Sequence, residues 1–173
     1  MKLKLFFLLV VSFFVVSCTS IPKGIEPVKN FDLNKYLGTW YEIARFDHSF
    51  EEGLQRVTAE YALLADGGVS VINRGFNSEN GEWKEAEGKA YFVGEESIGH
   101  LKVSFFGPFY SSYIIFFLDQ DDYQYALVSG PNREYLWILS RDKALPKSTI
   151  DMLVQEASDA GYDISKLIFV DHN

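Results

Sequence analysis

From Thr39 to Ser140 the chain repeats one pattern, a short apolar or alternating run followed by a turn. The runs are 40–46, 56–64, 69–75, 85–93, 101–106, 112–119, 123–129 and 135–140. Turn residues separate them, in "ADGG", "NSENGE", "GEESIGH", "GPFYS", "DQDD" and "SGPNRE". Eight strands this close together predict an antiparallel barrel or sandwich, because parallel strands need long crossovers. The period then changes. Ile150, Leu153, Val154 and Ala157 fall at i, i+3, i+4 and i+7, which predicts one helix, with Pro146 near its start and Gly161 past its end. "KLIFV" predicts a last short strand, and "FDLNKYLG" an early helical turn capped by Asp32 or Asn34.

Ahead of this domain, Lys2 and Lys4 precede an apolar run from Leu5 to Val16, broken only by Ser12, and then Ser17 and Cys18. That layout predicts a secretory signal over residues 1–17. The run is shorter than the ~20 residues that a membrane-spanning helix needs. Cleavage before Cys18 leaves 156 residues. "TSIPKGIEPVKN", with Pro22, Gly24 and Pro27, reads as a linker long enough to hold a domain off a membrane. The expected plan is a signal at 1–17, a tether at 18–30 and one domain at 31–173.

Cys18 is the sole cysteine, so no internal disulfide is available to it. Val15-Val16-Ser17-Cys18 resembles a bacterial lipobox, and that resemblance implies a diacylglyceryl thioether on Cys18 and an acyl group on its new amine. Two or more chains make anchoring stable where one is marginal. The other reading is an ordinary signal with Cys18 near the cut. Thr19 is not Asp, so the usual inner-membrane retention signal is missing, which favours the outer membrane, periplasm-facing.

Loss of Lys2 and Lys4 leaves 14 basic against 24 acidic residues, a net charge of −10. No clustered positive patch remains to hold phosphates, so nucleic acid is excluded as a partner. His48, His100 and His172 lack metal-ligand spacing, and solvated surface is expected for the last two. The acidic pairs Glu51-Glu52, Glu95-Glu96 and Asp121-Asp122 read as turn or strand-end residues, without the burial that acid–base work needs. No G-x-S-x-G, P-loop or Rossmann pattern occurs, and the sequence is not read as an enzyme.

"LGTWYEIARF", "DGGVSVINRGFN", "EGKAYFVG", "LKVSFFGPFY", "DDYQYALVSGP" and "YLWILSR" follow one another from Gly38 towards Val170. In this order they resemble the lipocalins, and among them the bacterial outer-membrane lipoprotein lipocalins. The resemblance implies an all-β fold: an eight-stranded antiparallel up-and-down lipocalin barrel with a C-terminal α-helix and a short final strand. It implies structural roles for Gly38, Trp40 and Arg141, with Trp40 plugging the closed end beneath the Arg141 guanidinium, a stacking worth ~0.5–2 kcal/mol.

Alternation, phased on these motif residues, gives an inward set. Trp40 inward brings Ala44 inward. Ala59 and Tyr61 follow from the family's pattern. Gly88, Ala90 and Phe92 share a face, as do Val103 and Phe105 with Lys102 and Ser104 turned to water. Tyr135, Trp137 and Leu139 keep phase with Arg141, and Ala126 and Val128 complete the set. Small residues such as Ala59 and Ala90 leave room that a filled core would close. A dry packed core is what composition alone favours; the family resemblance reverses that preference.

The resemblance implies a fatty acid or lysophospholipid as ligand, stored or transported in the cell envelope. Burying about 300 Å² of hydrocarbon at ~25 cal/mol per Å² gives ~7 kcal/mol, without any charged anchor. Arg74, Lys84 and Lys89 could reach an anionic head group, or simply be solvated. The rival readings are an envelope lipoprotein without a specific ligand, and a hydrolase or isomerase acting on lipid. "YIIFFLD", residues 113–119, is apolar on both faces. One face points inward; the other either lies under the helix or, if exposed, marks an association surface, and the resemblance implies a homodimer.

Overall fold

The computed structural model describes residues 19–173; the signal expected at 1–17 and Cys18 lie outside the described residues. A short helix α1 (Leu33–Tyr36) leads into eight strands: β1 (Gly38–Phe46), β2 (Leu54–Leu63), β3 (Val69–Asn77), β4 (Glu82–Phe92), β5 (His100–Phe106), β6 (Phe109–Leu118), β7 (Tyr125–Ser129) and β8 (Leu136–Ser140). Each strand pairs antiparallel with the next, and β1 pairs with both β2 and β8, so the sheet closes into a barrel. Closure removes every free edge but one side of β1 near Phe46, where β9 (Leu167–Phe169) adds from outside. Helix α2 (Lys147–Asp159) lies between, with Leu153 and Ala157 fully buried against the barrel wall.

Two apolar clusters follow from strand alternation. The inner one holds Trp40, Tyr61, Val69, Val71, Ala90, Leu101, Ile115, Ala126, Val128 and Leu139, with Phe31 and Tyr36 closing one end. The outer one holds Ile43, Phe46, Ile114, Leu127, Leu136 and Ile138 beneath Leu153, Ala157 and Tyr162. Opposed residues share a face, and the register Val128↔Trp137 inward with Leu127↔Ile138 outward assigns the two sides.

β1 breaks the alternation. Its register against β8 shifts between Glu42 and Ala44, so two residues oppose one and every later side chain changes face. Ala44, expected inward, lies in the outer cluster opposite Ile138. Arg45 takes the inward place opposite Trp137.

The apolar run 113–119 takes the first of the two arrangements open to it, with its outer face under the helix layer. Its outer residues Ile114, Phe116 and Phe117 lie against the α2 layer, and Phe116 stacks on Tyr162 at 5.5 Å. This stripe is therefore covered within the fold.

The expected free tether is bound as well. Ser20 donates to the Pro131 carbonyl, Arg133 donates to Lys23 at 2.7 Å, and the Val28 amide donates to Ile115 at 2.8 Å. Pro22 and Ile25 are buried, and Lys29 bridges to Ile98. The segment runs down the barrel wall from the β7–β8 loop to the α1 end.

Candidate functional site: the barrel interior

The floor is built first. Gly38 turns into β1 at φ +93°, where a Cβ would be strained and would meet the Arg141 guanidinium at 3.5 Å. Trp40 is fully buried, donates its indole N–H to Tyr36 at 2.8 Å, and lies with its ring centre 4.1 Å from the Arg141 guanidinium carbon. Arg141 donates to the carbonyls of Thr39, Lys35, Leu37 and Tyr123. The guanidinium thus ties α1, β1 and the β6–β7 loop together under the indole.

Three phenols stand above this seal. Tyr113 shares hydrogen bonds with Tyr36 at 2.8 Å and Tyr61 at 2.9 Å. Burial is the main cause that raises all three phenol pKa values above their ordinary range, so the ring of hydroxyls stays neutral. Phe31, Phe92 and Tyr123 complete an aromatic floor.

Above the floor several inward residues are only partly buried. Ala59, Val103, Phe105 and Trp137 face the inner cluster but keep partly accessible side chains, as does Asn73, opposite Ala59. A solid core would bury such residues, since native interiors pack near crystal density. Ala90, Ala126, Val128 and Leu139 are buried deeper in the same cluster. Tyr135 stands at the rim beside β8, stacked on His48 at 4.4 Å. Gly88 shares Ala90's face, and a Cβ there would strike the Phe105 ring at 2.8 Å.

The mouth side carries charge that strict alternation hides. Arg45 donates to Glu42 Oε1 at 2.7 Å and to the backbone carbonyls of Glu51 and Leu54. Trp137 donates its indole N–H to Glu51 Oε2 at 3.1 Å. Burial, and then the Glu51 charge, push the Glu42 carboxyl up to about 8, against the pull of Arg45. Burial likewise raises Glu51. Two buried carboxyls around one guanidinium hold a proton between them that solvent-exposed acids would lose. Glu51, read in the sequence as a solvated turn residue, is buried.

Other expected positions differ. Arg74 pairs with Glu60 and Glu85 on the outer face, and Lys89 alternates outward beside Ala90, so neither points into the barrel. Lys84, on the Gly88 face, is exposed. Ser104 faces out with Lys102 but is buried. His100 opens β5 and contacts the Ser112 hydroxyl, and His172 contacts the Glu42 carbonyl at 2.8 Å. Outside the barrel a recess of about 330 Å³ lies among Gly24, Ile25, Glu26, Phe116, Glu156 and Asp159; its acidic rim and shallow floor do not suit a hydrocarbon. Among the described residues no group of His, Cys, Asp or Glu could hold a metal ion.

A closed eight-stranded barrel, sealed at a tryptophan–arginine floor and accessible within, is the architecture of one family. Residues 31–172 match the family described as "Lipocalin-like domain". The chain belongs to the lipocalins. Among lipocalins it is 54% identical to Outer membrane lipoprotein Blc of Vibrio cholerae, over 95% of this chain and 96% of that protein. It is 52% identical to the Escherichia coli protein of that name, over 92% of this chain and 90% of the other. Temperature-induced lipocalin-1 of Arabidopsis thaliana is 39% identical over 84% and 81% of the two chains. The fold also matches solved structures at low identity. Insecticyanin of the tobacco hornworm gives a TM-score of 0.69 at 23% identity, covering 89% of this chain and 87% of that one.

Proposed function

We propose that this lipocalin is an outer-membrane lipoprotein, anchored through lipid on Cys18, that binds a single-chain lipid for storage or transport in the cell envelope. The relatives named outer membrane lipoproteins support the location, and the lipobox-like Val15-Val16-Ser17-Cys18 supports the anchor. The observation that carries the ligand reading is the interior itself: inward residues that stay partly accessible above an aromatic floor lined with neutral phenols, with the Arg45, Glu42 and Glu51 cluster toward the mouth.

A fatty acid or lysophospholipid suits that division. Its chain would lie along Ala59, Val103, Phe105 and the floor aromatics, and its head would sit near Arg45, Glu42 and Trp137. Buried polar side-chain atoms are ordinarily partnered. Arg45 Nε, Asn73 Oδ1 and His48 Nε2 are buried without a hydrogen-bond partner in the described residues. Arg45 and Asn73 face the interior, and His48 stacks at its rim. These groups favour a lipid with a polar head over a plain hydrocarbon.

The test is direct. Protein extracted gently from its own membrane is analysed by native mass spectrometry, and binding of a fatty acid, a lysophospholipid and an alkane of equal chain length is measured. Co-purifying lipid and preference for the two headed ligands are expected. No bound lipid and no measurable affinity would leave an envelope lipoprotein without a ligand. For the anchor, Cys18→Ser should release the protein from the membrane fraction.

A further inference from the structure

Among the described residues, four of the five exposed aromatic residues lie at one end of the barrel, and the fifth, Phe169 on β9, lies on the outer wall. Phe106 is 82% exposed, Phe109 69%, and Phe50 and Trp83 59% each. Phe106 and Phe109 flank the β5–β6 turn, Trp83 stands at the start of β4 and Phe50 in the β1–β2 loop, all at the mouth. The turn "FFGPFY" carries no charge. Acidic residues are exposed at both ends, Asp47, Glu52, Glu79, Glu82 and Glu134 at the mouth and Asp66, Glu95, Glu96, Asp121 and Asp122 at the other, whereas no aromatic residue is exposed in the closed-end loops. An exposed apolar patch of this kind marks a contact surface, and aromatic rings of this size favour the headgroup–acyl boundary of a bilayer.

The start of the described chain fixes which surface that is. Ser20 is hydrogen-bonded to Pro131, in the β7–β8 loop at the mouth. Cys18 precedes it by two residues, which reach at most about 7 Å. Acyl chains on Cys18 would therefore enter the bilayer beside the aromatic turn. We infer that the barrel stands mouth-down on the membrane that holds its anchor, with Phe106 and Phe109 seated in the lipid boundary and Phe50 and Trp83 beside them. The interior then opens onto lipid, and the ligand passes between bilayer and barrel without crossing water. This inference rests on the anchor proposed above.

Full-length lipidated protein is placed in phosphatidylcholine vesicles with one thiol-linked, environment-sensitive dye, at Phe109→Cys or, as control, at Leu63→Cys on the closed end. Brominated phosphatidylcholine should quench the dye at position 109 several-fold more than at 63. Equal quenching at the two positions, or a dye at 109 that stays in water on anchored protein, overturns the orientation and leaves the anchor standing. A protein without acyl mass overturns the anchor and this inference with it. Shielding at 109 without vesicles that grows with protein concentration assigns the turn to a second copy and overturns the inference. In a second measurement, Phe106→Ser with Phe109→Ser should slow lipid uptake from vesicles several-fold, with affinity for lipid added in solution unchanged. Unchanged uptake also counts against the inference.

Discussion

Arg45 and Glu42, three residues apart on one strand, are joined by a 2.7 Å hydrogen bond inside the barrel, both side chains almost fully buried. A regular strand would send them to opposite faces, since side chains alternate with a period of two. The bulge at Ile43-Ala44 turns both inward and sends Ala44 out under α2. One inserted residue thus gives an apolar barrel its polar end.

Removal of one partner from a buried pair leaves the other uncompensated, at a cost of about 3–5 kcal/mol. Arg45→Met should lose stability in that range, because the Glu51 and Leu54 carbonyls lose their donor too. Glu42→Gln, which keeps a hydrogen-bonding oxygen for Arg45, should cost less. Urea denaturation of the three proteins checks the order.

Stability should depend on pH through the same pair. The Glu42 carboxyl moves from 4.5 to about 8 on folding, because burial disfavours its charge. Between those values the folded protein holds more protons than the unfolded chain, so stability falls as pH rises and levels off above the window. Burial raises Glu51 in the same direction. Denaturation midpoints should decline from about pH 5 to about pH 8, and Glu42→Gln should flatten the decline. A midpoint that rises over this range would contradict the assignment.

Ala59 and Ala90 predict opposite outcomes for the same substitution. Ala59 keeps accessible space beside it, whereas Ala90 is buried among Val69 and Val103. Ala59→Trp should weaken fatty-acid binding with a small change in thermal stability. Ala90→Trp should overpack the wall at a cost of about 1–3 kcal/mol or more. Ligand titration and thermal melts of both variants separate a hollow from a packed wall.

The floor should fail as a unit. Trp40→Ala removes a fully buried indole, worth about 3–5 kcal/mol, and takes away the ring on which Arg141 lies. Arg141→Lys keeps the charge but cannot reach four carbonyls at once, and about 1–3 kcal/mol should be lost. If the Arg141 bonds depend on the indole, the double variant will cost less than the two single losses together, which a double-mutant cycle measures.

The amino-acid pattern by itself determined the eight strands, their antiparallel order and helix α2, and a family resemblance pointed to Gly38, Trp40 and Arg141 in the floor. Each of these follows from local rules: period two against period 3.6, turn chemistry between the runs, and a glycine, a tryptophan and an arginine in sequence contexts that resemble one family. What lay beyond those rules was face and contact. Alternation placed Ala44 inward and hid Arg45, because a bulge shows only as a shift against the neighbouring strand. Glu51 read as solvated, because its burial depends on Trp137, 86 residues away in the chain. The segment after Cys18 read as a free tether, because proline and glycine report local backbone preference and nothing of the wall that Pro22, Ile25 and Val28 cover. Only closure of the sheet, which brings β8 back to β1, decides which side chains meet inside and which end of the barrel lies beside the anchor.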